Sequence, residues 1–233
     1  MGLPGSFKMT IGHGAIAVAF DMDGLMFETE SVYWKSAEIL LGRRGHEYTQ
    51  EICDAVMGRT PEFAFRYFIQ TFSLSEDWRS LQRESEDIFV ELLKDGYETQ
   101  PGFSELLDLL EERNIPRCVC TSSARRVVTE VLKKDGIGER FDFVLTSDDI
   151  TRGKPDPEVY QLAARRFGVE AGAMLVLEDS SAGAASARSA GAPCCMLRAE
   201  HNFNADFSNA VAVVERLDAP ELVALLAPCG KDA

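Results

Sequence analysis

Two aspartates set two residues apart, at the end of an apolar run, are the chemical centre of this 233-residue chain. In Val18-Ala19-Phe20-Asp21-Met22-Asp23-Gly24, apolar residues lead into Asp21 and Asp23, and a glycine follows at once. Alternate side chains of a strand point the same way, so the two carboxylates start on one side of the strand end. The glycine permits a sharp turn directly after them. Paired carboxylates at the open end of a buried strand repel each other, and a cation or a shared proton relieves the repulsion. The alternative is a strand that ends in an Asp-Gly turn with both acids in water. The choice between them depends on what other segments bring to the same place.

The elements that position these residues follow from the apolar pattern. Residues 15–20 (AIAVAF) read as a short buried strand, preceded by a glycine-rich lead-in over residues 1–13. Residues 29–93 read as helices, with three helical stretches at 29–41, 61–72 and 78–93 and breaks at Gly42, Gly45, Gly58 with Pro61, and Gly96. From Pro101 onward, strands at 116–121, 143–146, 173–177, 194–197 and 211–214 alternate with helices at 103–113, 124–135, 157–167 and 181–190. Continuously apolar strands that alternate with helices predict an α/β fold: a Rossmann-like, doubly wound parallel sheet covered on both faces. Residues 1–27 and 97–233 would form that core, and 28–96 a helical domain inserted into it.

Ligands of such sheets sit at the carboxyl ends of the strands, so the residues just after each strand carry the argument. The strand ending at 121 supplies Thr121-Ser122-Ser123. These hydroxyls and backbone amides suit a phosphate, and Ser122 or Ser123 also suits the N-cap of the next helix. The strand at 143–146 leads to Lys154-Pro155-Asp156-Pro157, where Asp156 reads as an N-cap and Pro157 as the first helical residue. The turn would pin Lys154 near the carboxylates. The strand at 173–177 supplies Glu178 and Asp179, oxygen ligands for a hard cation. Acid pair, hydroxyl, lysine and acid pair at four strand ends are the groups that phosphoryl transfer needs.

The ordered set FDMDG, TSS, GKPDP and LEDSSAG resembles the haloacid dehalogenase superfamily of phosphohydrolases, over most of the chain from about residue 18 to 222. The helical insertion after the first motif resembles the C1-capped branch, which includes beta-phosphoglucomutase and sugar-phosphate and nucleotide phosphatases. The resemblance implies that Asp21 is the nucleophile and forms an aspartyl-phosphate. Asp23 would be the acid that protonates the leaving oxygen and the base that then activates water. Mg2+ would be held by the Asp21 carboxylate, the Asp23 backbone carbonyl and Asp179, with Glu178 as a further ligand or water anchor. Thr121 and Ser122 would hold the phosphoryl oxygens, and Lys154 would bridge Asp21 and the phosphate.

Where beta-phosphoglucomutases carry a histidine in the first cap helix, this chain has Tyr33, and where they carry a lysine before the cap-loop glycine it has Met57. Both departures favour a phosphatase acting on a sugar phosphate or nucleoside phosphate over the alternatives, a phosphosugar mutase or a non-catalytic phosphometabolite-binding protein. The segment around Gly58 and Arg59 is the expected specificity loop, and the aromatics at 63–68 read as helix core rather than a substrate platform.

Composition narrows the classes further. A net charge of −14 argues against nucleic-acid binding. No stretch approaches a membrane span, and no signal-peptide pattern opens the chain. Six cysteines without a C-x-x-C pair argue against a zinc site and fit a reducing, cytoplasmic setting. The expected partner is a small phosphorylated substrate, and the expected assembly a monomer or weak dimer.

Overall fold

The strands are too short to stand alone, and the central ones are buried between helices, as a parallel sheet requires. The computed structural model describes residues 14–56 and 60–228, with the side chain of Asp135 excepted. Six strands, β1 (Ala17–Phe20), β2 (Arg117–Cys120), β3 (Phe143–Leu145), β4 (Met174–Glu178), β5 (Cys194–Leu197) and β6 (Ala212–Val214), pair in the order β3-β2-β1-β4-β5-β6, all parallel. The order reverses between β1 and β4, where a doubly wound sheet opens its ligand crevice. Phe20 registers with Val119 on β2 and with Leu177 on β4, so the three strand ends lie level.

Period-two alternation divides β1 between two cores. Val18 and Phe20 join Val119, Leu175 and Leu177 on one face. Ala17 and Ala19 join Cys118, Cys120, Val176 and Cys194 on the other, against Tyr160, Ala163 and Ala187. Small residues on this second face leave room for helices α7 (Glu158–Phe167) and α8 (Ser181–Ala190). Cys118, Cys120, Cys194 and Cys195 are buried free thiols that pack as small hydrophobes.

Between β1 and α5 (Phe103–Glu112) the chain makes four helices: α1 (Glu30–Gly42), α2 (Gln50–Val56), α3 (Pro61–Phe72) and α4 (Trp78–Leu92). They share a separate apolar cluster of Leu40, Leu41, Ile52, Phe68 and Ile88. Helix α2 is an addition to the three helical stretches expected. Of the 63–68 aromatics expected as helix core, Phe68 is buried and Phe65 and Tyr67 pack partly buried against the same cluster, while Phe63 is 43 % exposed. No helix among the described residues is long and apolar enough to cross a membrane. Residues 1–13, Met57, Gly58, Arg59 and Cys229 lie outside the described residues.

Two boundaries differ from expectation. The helix expected over 124–135 stops early, as α6 (Arg125–Val131), and gives way to a 3-10 segment at Lys134–Arg140. Leu132 and Ile137 are both buried, and a continuous helix would set them about 140° apart, so the chain tightens to bury both. Pro157 stands in the cap position just ahead of α7 rather than inside it. Asp156 still caps, with Oδ1 accepting from Glu158 N–H at 3.1 Å.

Candidate active site

The site grows from the ends of β1, β2 and β4. The backbone N–H of Asp21 bonds to Leu177 O at 3.0 Å, which carries the first aspartate alongside the end of β4. Gly24 turns the chain back with φ 79°, and its carbonyl accepts from Gln100 Nε2 at 2.9 Å. A Cβ at Gly24 would collide with the Asp179 carboxylate, so this glycine is required for close approach as well as for its dihedral.

Lys154 arrives from the loop between β3 and α7, and that loop is held rigid. Thr151 and Arg152 donate backbone N–H groups to the Glu158 carboxylate, and Ser186 Oγ on α8 donates to Asp156 O at 2.6 Å. The Lys154 ammonium then donates to Asp21 Oδ1, to Glu178 Oε1 at 2.6 Å and to Cys120 O at 2.9 Å. Both carboxylates are buried. Burial opposes the lysine charge, but Asp21 and Glu178 outweigh it and hold its pKa above the usual value, so the ammonium persists.

The two acids of β4 divide in behaviour. Glu178, fully buried, receives five hydrogen bonds: Lys154 and Tyr160 Oη on Oε1, and Ser180 Oγ, Ser180 N–H and Asp179 N–H on Oε2. Burial would raise its pKa, yet these donors, Lys154 foremost, hold it below the usual range. It is saturated as an anchor for the lysine and the β4–α8 turn. Asp21 and Asp179 are instead raised, first by burial and then by neighbouring acids. Carboxylate oxygens of Asp21, Glu178 and Asp179 all lie within 4.8 Å of one another. An all-oxygen donor set whose three carboxylates outnumber the single Lys154 ammonium fits a hard divalent cation.

Asp23 faces another way. Its Oδ1 accepts from Thr29 Oγ1 at 2.8 Å, and its Oδ2 accepts from Ser123 Oγ at 2.7 Å and from Thr121 Oγ1 at 3.5 Å. Burial raises its pKa, and these hydroxyls oppose the rise. Ser123 also shares a hydrogen bond of 2.9 Å with Tyr33 Oη on α1. Ala124, not a serine, occupies the N-cap of α6, and Arg125 N–H is capped by Asp148 Oδ2 at 3.0 Å. The N-cap use expected of Ser122 or Ser123 is therefore absent. Ser122 is exposed at the mouth of the site, and it is Ser123 that reaches Asp23.

The structure thus brings together Asp21, Asp23, Thr121, Ser122, Lys154, Glu178 and Asp179. Ser123, from the expected Thr121-Ser122-Ser123 turn, joins them, and Tyr160, Thr29 and His201 do so unanticipated; His201 Nε2 lies 2.8 Å from Asp179 Oδ2. Residues 18–197 match the family model described as haloacid dehalogenase-like hydrolase. The chain belongs to that family. It is 30 % identical over 179 residues to a phosphorylated carbohydrates phosphatase of Thermotoga maritima, covering 75 % of this chain and 81 % of the relative. It is 34 % identical over 198 residues to (DL)-glycerol-3-phosphatase 2 of Arabidopsis thaliana, covering 78 % and 80 %. A solved family hydrolase from Entamoeba histolytica superposes with a TM-score of 0.80 at 25 % identity, covering 90 % of this chain and 98 % of that one. The two curated relatives are named phosphatases, which is the enzyme class expected from the motifs.

Proposed function

We propose that this chain hydrolyses a small phosphomonoester, a sugar phosphate or nucleoside phosphate, through a phosphoryl group carried on Asp21. The observation that supports it best is the separation of the two aspartates: Asp21 is bound by an ammonium beside two acids, and Asp23 only by hydroxyls. Acids held in contrasting environments serve contrasting roles. An Asp21 carboxylate oxygen attacks phosphorus while the bond from phosphorus to the leaving oxygen breaks. Asp23, its pKa raised by burial, gives that oxygen a proton. Asp23 then takes a proton from water, the water oxygen attacks phosphorus, and Asp21 returns as carboxylate.

Lys154 faces the transferring oxygens and offsets their charge. Thr121 and Ser122, at the end of β2, orient the phosphoryl group. Asp21, Asp179 and the backbone carbonyl of Asp23 would hold Mg2+, with Glu178 behind them as the anchor of Lys154. Bound there, the ion would supply charge neutralisation at the phosphoryl oxygens. The helices within residues 28–96 act as a cap over the core formed by 1–27 and 97–233, and exclude bulk water from the reacting oxygens.

The test is phosphate release from p-nitrophenyl phosphate with Mg2+, repeated with a chelator and with Asp21→Asn. Release that disappears in both supports the reading. Undiminished release by Asp21→Asn overturns it, and conversion of a hexose phosphate to its isomer without free phosphate, in the presence of a hexose bisphosphate activator, assigns a mutase instead.

A further inference from the structure

A cavity of about 690 Å3 opens between the inserted helices and the start of α6, with Asp23, Ser122 and Ser123 at one end. That volume falls in the middle of the ~300–1,000 Å3 typical of ligand pockets and exceeds what a glycerol group fills. Its wall carries six aromatic rings: Tyr33, Trp34, Tyr48, Phe65, Phe68 and Phe89. They interlock. Tyr33 lies on Phe89 with ring centroids 4.3 Å apart, Trp34 meets Tyr48 edge-on at 4.9 Å, and Phe65 meets Phe68 edge-on at 5.9 Å. The rings continue to the reacting end, because Tyr33 Oη is hydrogen-bonded to the serine that holds Asp23. The charged side chains in the wall are Asp23, Glu30 and Glu86, and no lysine or arginine lines it among the described residues.

We propose that the leaving group bears a planar aromatic ring and carries no second anionic group, as in a nucleoside 5′-phosphate or an aryl phosphate. This rests on the phosphatase reading above and narrows its substrate class. Aromatic walls favour a ring over a hydroxyl-rich sugar, whose many polar groups would lose water without gaining partners. Carboxylates set along the same wall repel a second phosphate, so discrimination comes from repulsion as well as attraction. Trp34 and Phe65 are the specificity-determining residues.

The test measures kcat/KM for uridine 5′-phosphate and adenosine 5′-phosphate against glycerol 3-phosphate, glucose 6-phosphate and glucose 1,6-bisphosphate, with Mg2+ throughout. The nucleotides are expected to lead by about tenfold or more, the scale of one base stacked on a ring. Trp34→Ala and Phe65→Leu are each expected to shrink the ratio of nucleotide to glycerol phosphate about five- to tenfold. General damage to the fold would lower both substrates together and leave the ratio alone. Glu86→Lys is expected to raise turnover of the bisphosphate relative to the wild-type chain. Metal-dependent hydrolysis that favours glycerol phosphate or a hexose phosphate, or a ratio untouched by both aromatic variants, overturns the substrate assignment and leaves the phosphatase reading standing. No phosphate release from any of the esters overturns both.

Discussion

Gly183, in the first turn of α8, allows a direct test of the buried carboxylate behind the site. A Cβ at that position would overlap Cδ, Oε1 and Oε2 of Glu178. The glutamate is fully buried at the last position of β4, so it has no open space to move into. Turning its carboxyl group aside in Gly183→Ala breaks the bonds to Tyr160 and Lys154, each 2.6 Å, and to Ser180 Oγ at 2.9 Å. Overpacking alone costs about 1–3 kcal/mol, and breaking a buried ion pair costs about 3–5 kcal/mol. These overlap, so we expect a loss of about 3–5 kcal/mol. With a urea m-value of about 2.5 kcal/mol/M, the unfolding midpoint falls by about 1–2 M. Lys154 loses one of its two carboxylate partners, and kcat/KM should fall by about 100-fold or more. The control is Gly42→Ala at the end of α1, where a Cβ meets no atom within 4 Å. There the same substitution should stabilise by about 0.5–1 kcal/mol. A Gly183→Ala midpoint within about 0.3 M of the wild-type value, with activity intact, would refute the packing argument.

Tyr160→Phe removes one donor from the buried Glu178 and should cost about 1–3 kcal/mol in urea unfolding, with a several-fold fall in kcat. Ser123→Ala removes the 2.7 Å donor to Asp23; steady-state kinetics should show kcat reduced about tenfold with KM little changed. Burial pushes the Cys195 thiol up to about 12 and raises Cys118 and Cys194 well above the usual thiol range. Because the folded-state values are the higher ones, the unfolded chain loses these protons first. Stability is therefore full below about pH 8.5 and declines as pH rises toward 12. Native alkylation at pH 8 followed by peptide mass mapping should find these three thiols unmodified, and urea midpoints should fall above pH 9.

The sheet was legible because its strands are continuous apolar runs, and the site because its acids and hydroxyls stand at strand ends, with Lys154 marked by the prolines of the loop that carries it. What escaped has physical causes. Helix α2 carries QEICDAV, and only Ile52 of it is buried, so no apolar period marks it. Tyr160 reads as one more core aromatic of α7, and only the fold brings its hydroxyl to a glutamate eighteen positions on. Tyr33 and Ser123 stand ninety residues apart, and their hydrogen bond exists only because α1 crosses the end of β2. Gly183 has no left-handed backbone to explain it; its reason is the carboxylate against it. Glu178 carries more than the strand-end rule foresaw: its carboxylate lies with those of Asp21 and Asp179, and it also takes five donors from the surrounding fold.

The central claim is that the phosphoryl group passes through Asp21. The measurement is rapid quenching during turnover with saturating phosphomonoester, reduction of any acyl phosphate with borohydride, and mass mapping of the peptides. The account predicts homoserine at position 21, dependent on substrate and missing in Asp21→Asn. A modification at Asp23 or on a serine, threonine or histidine, or steady turnover with no trapped residue at position 21, would contradict it.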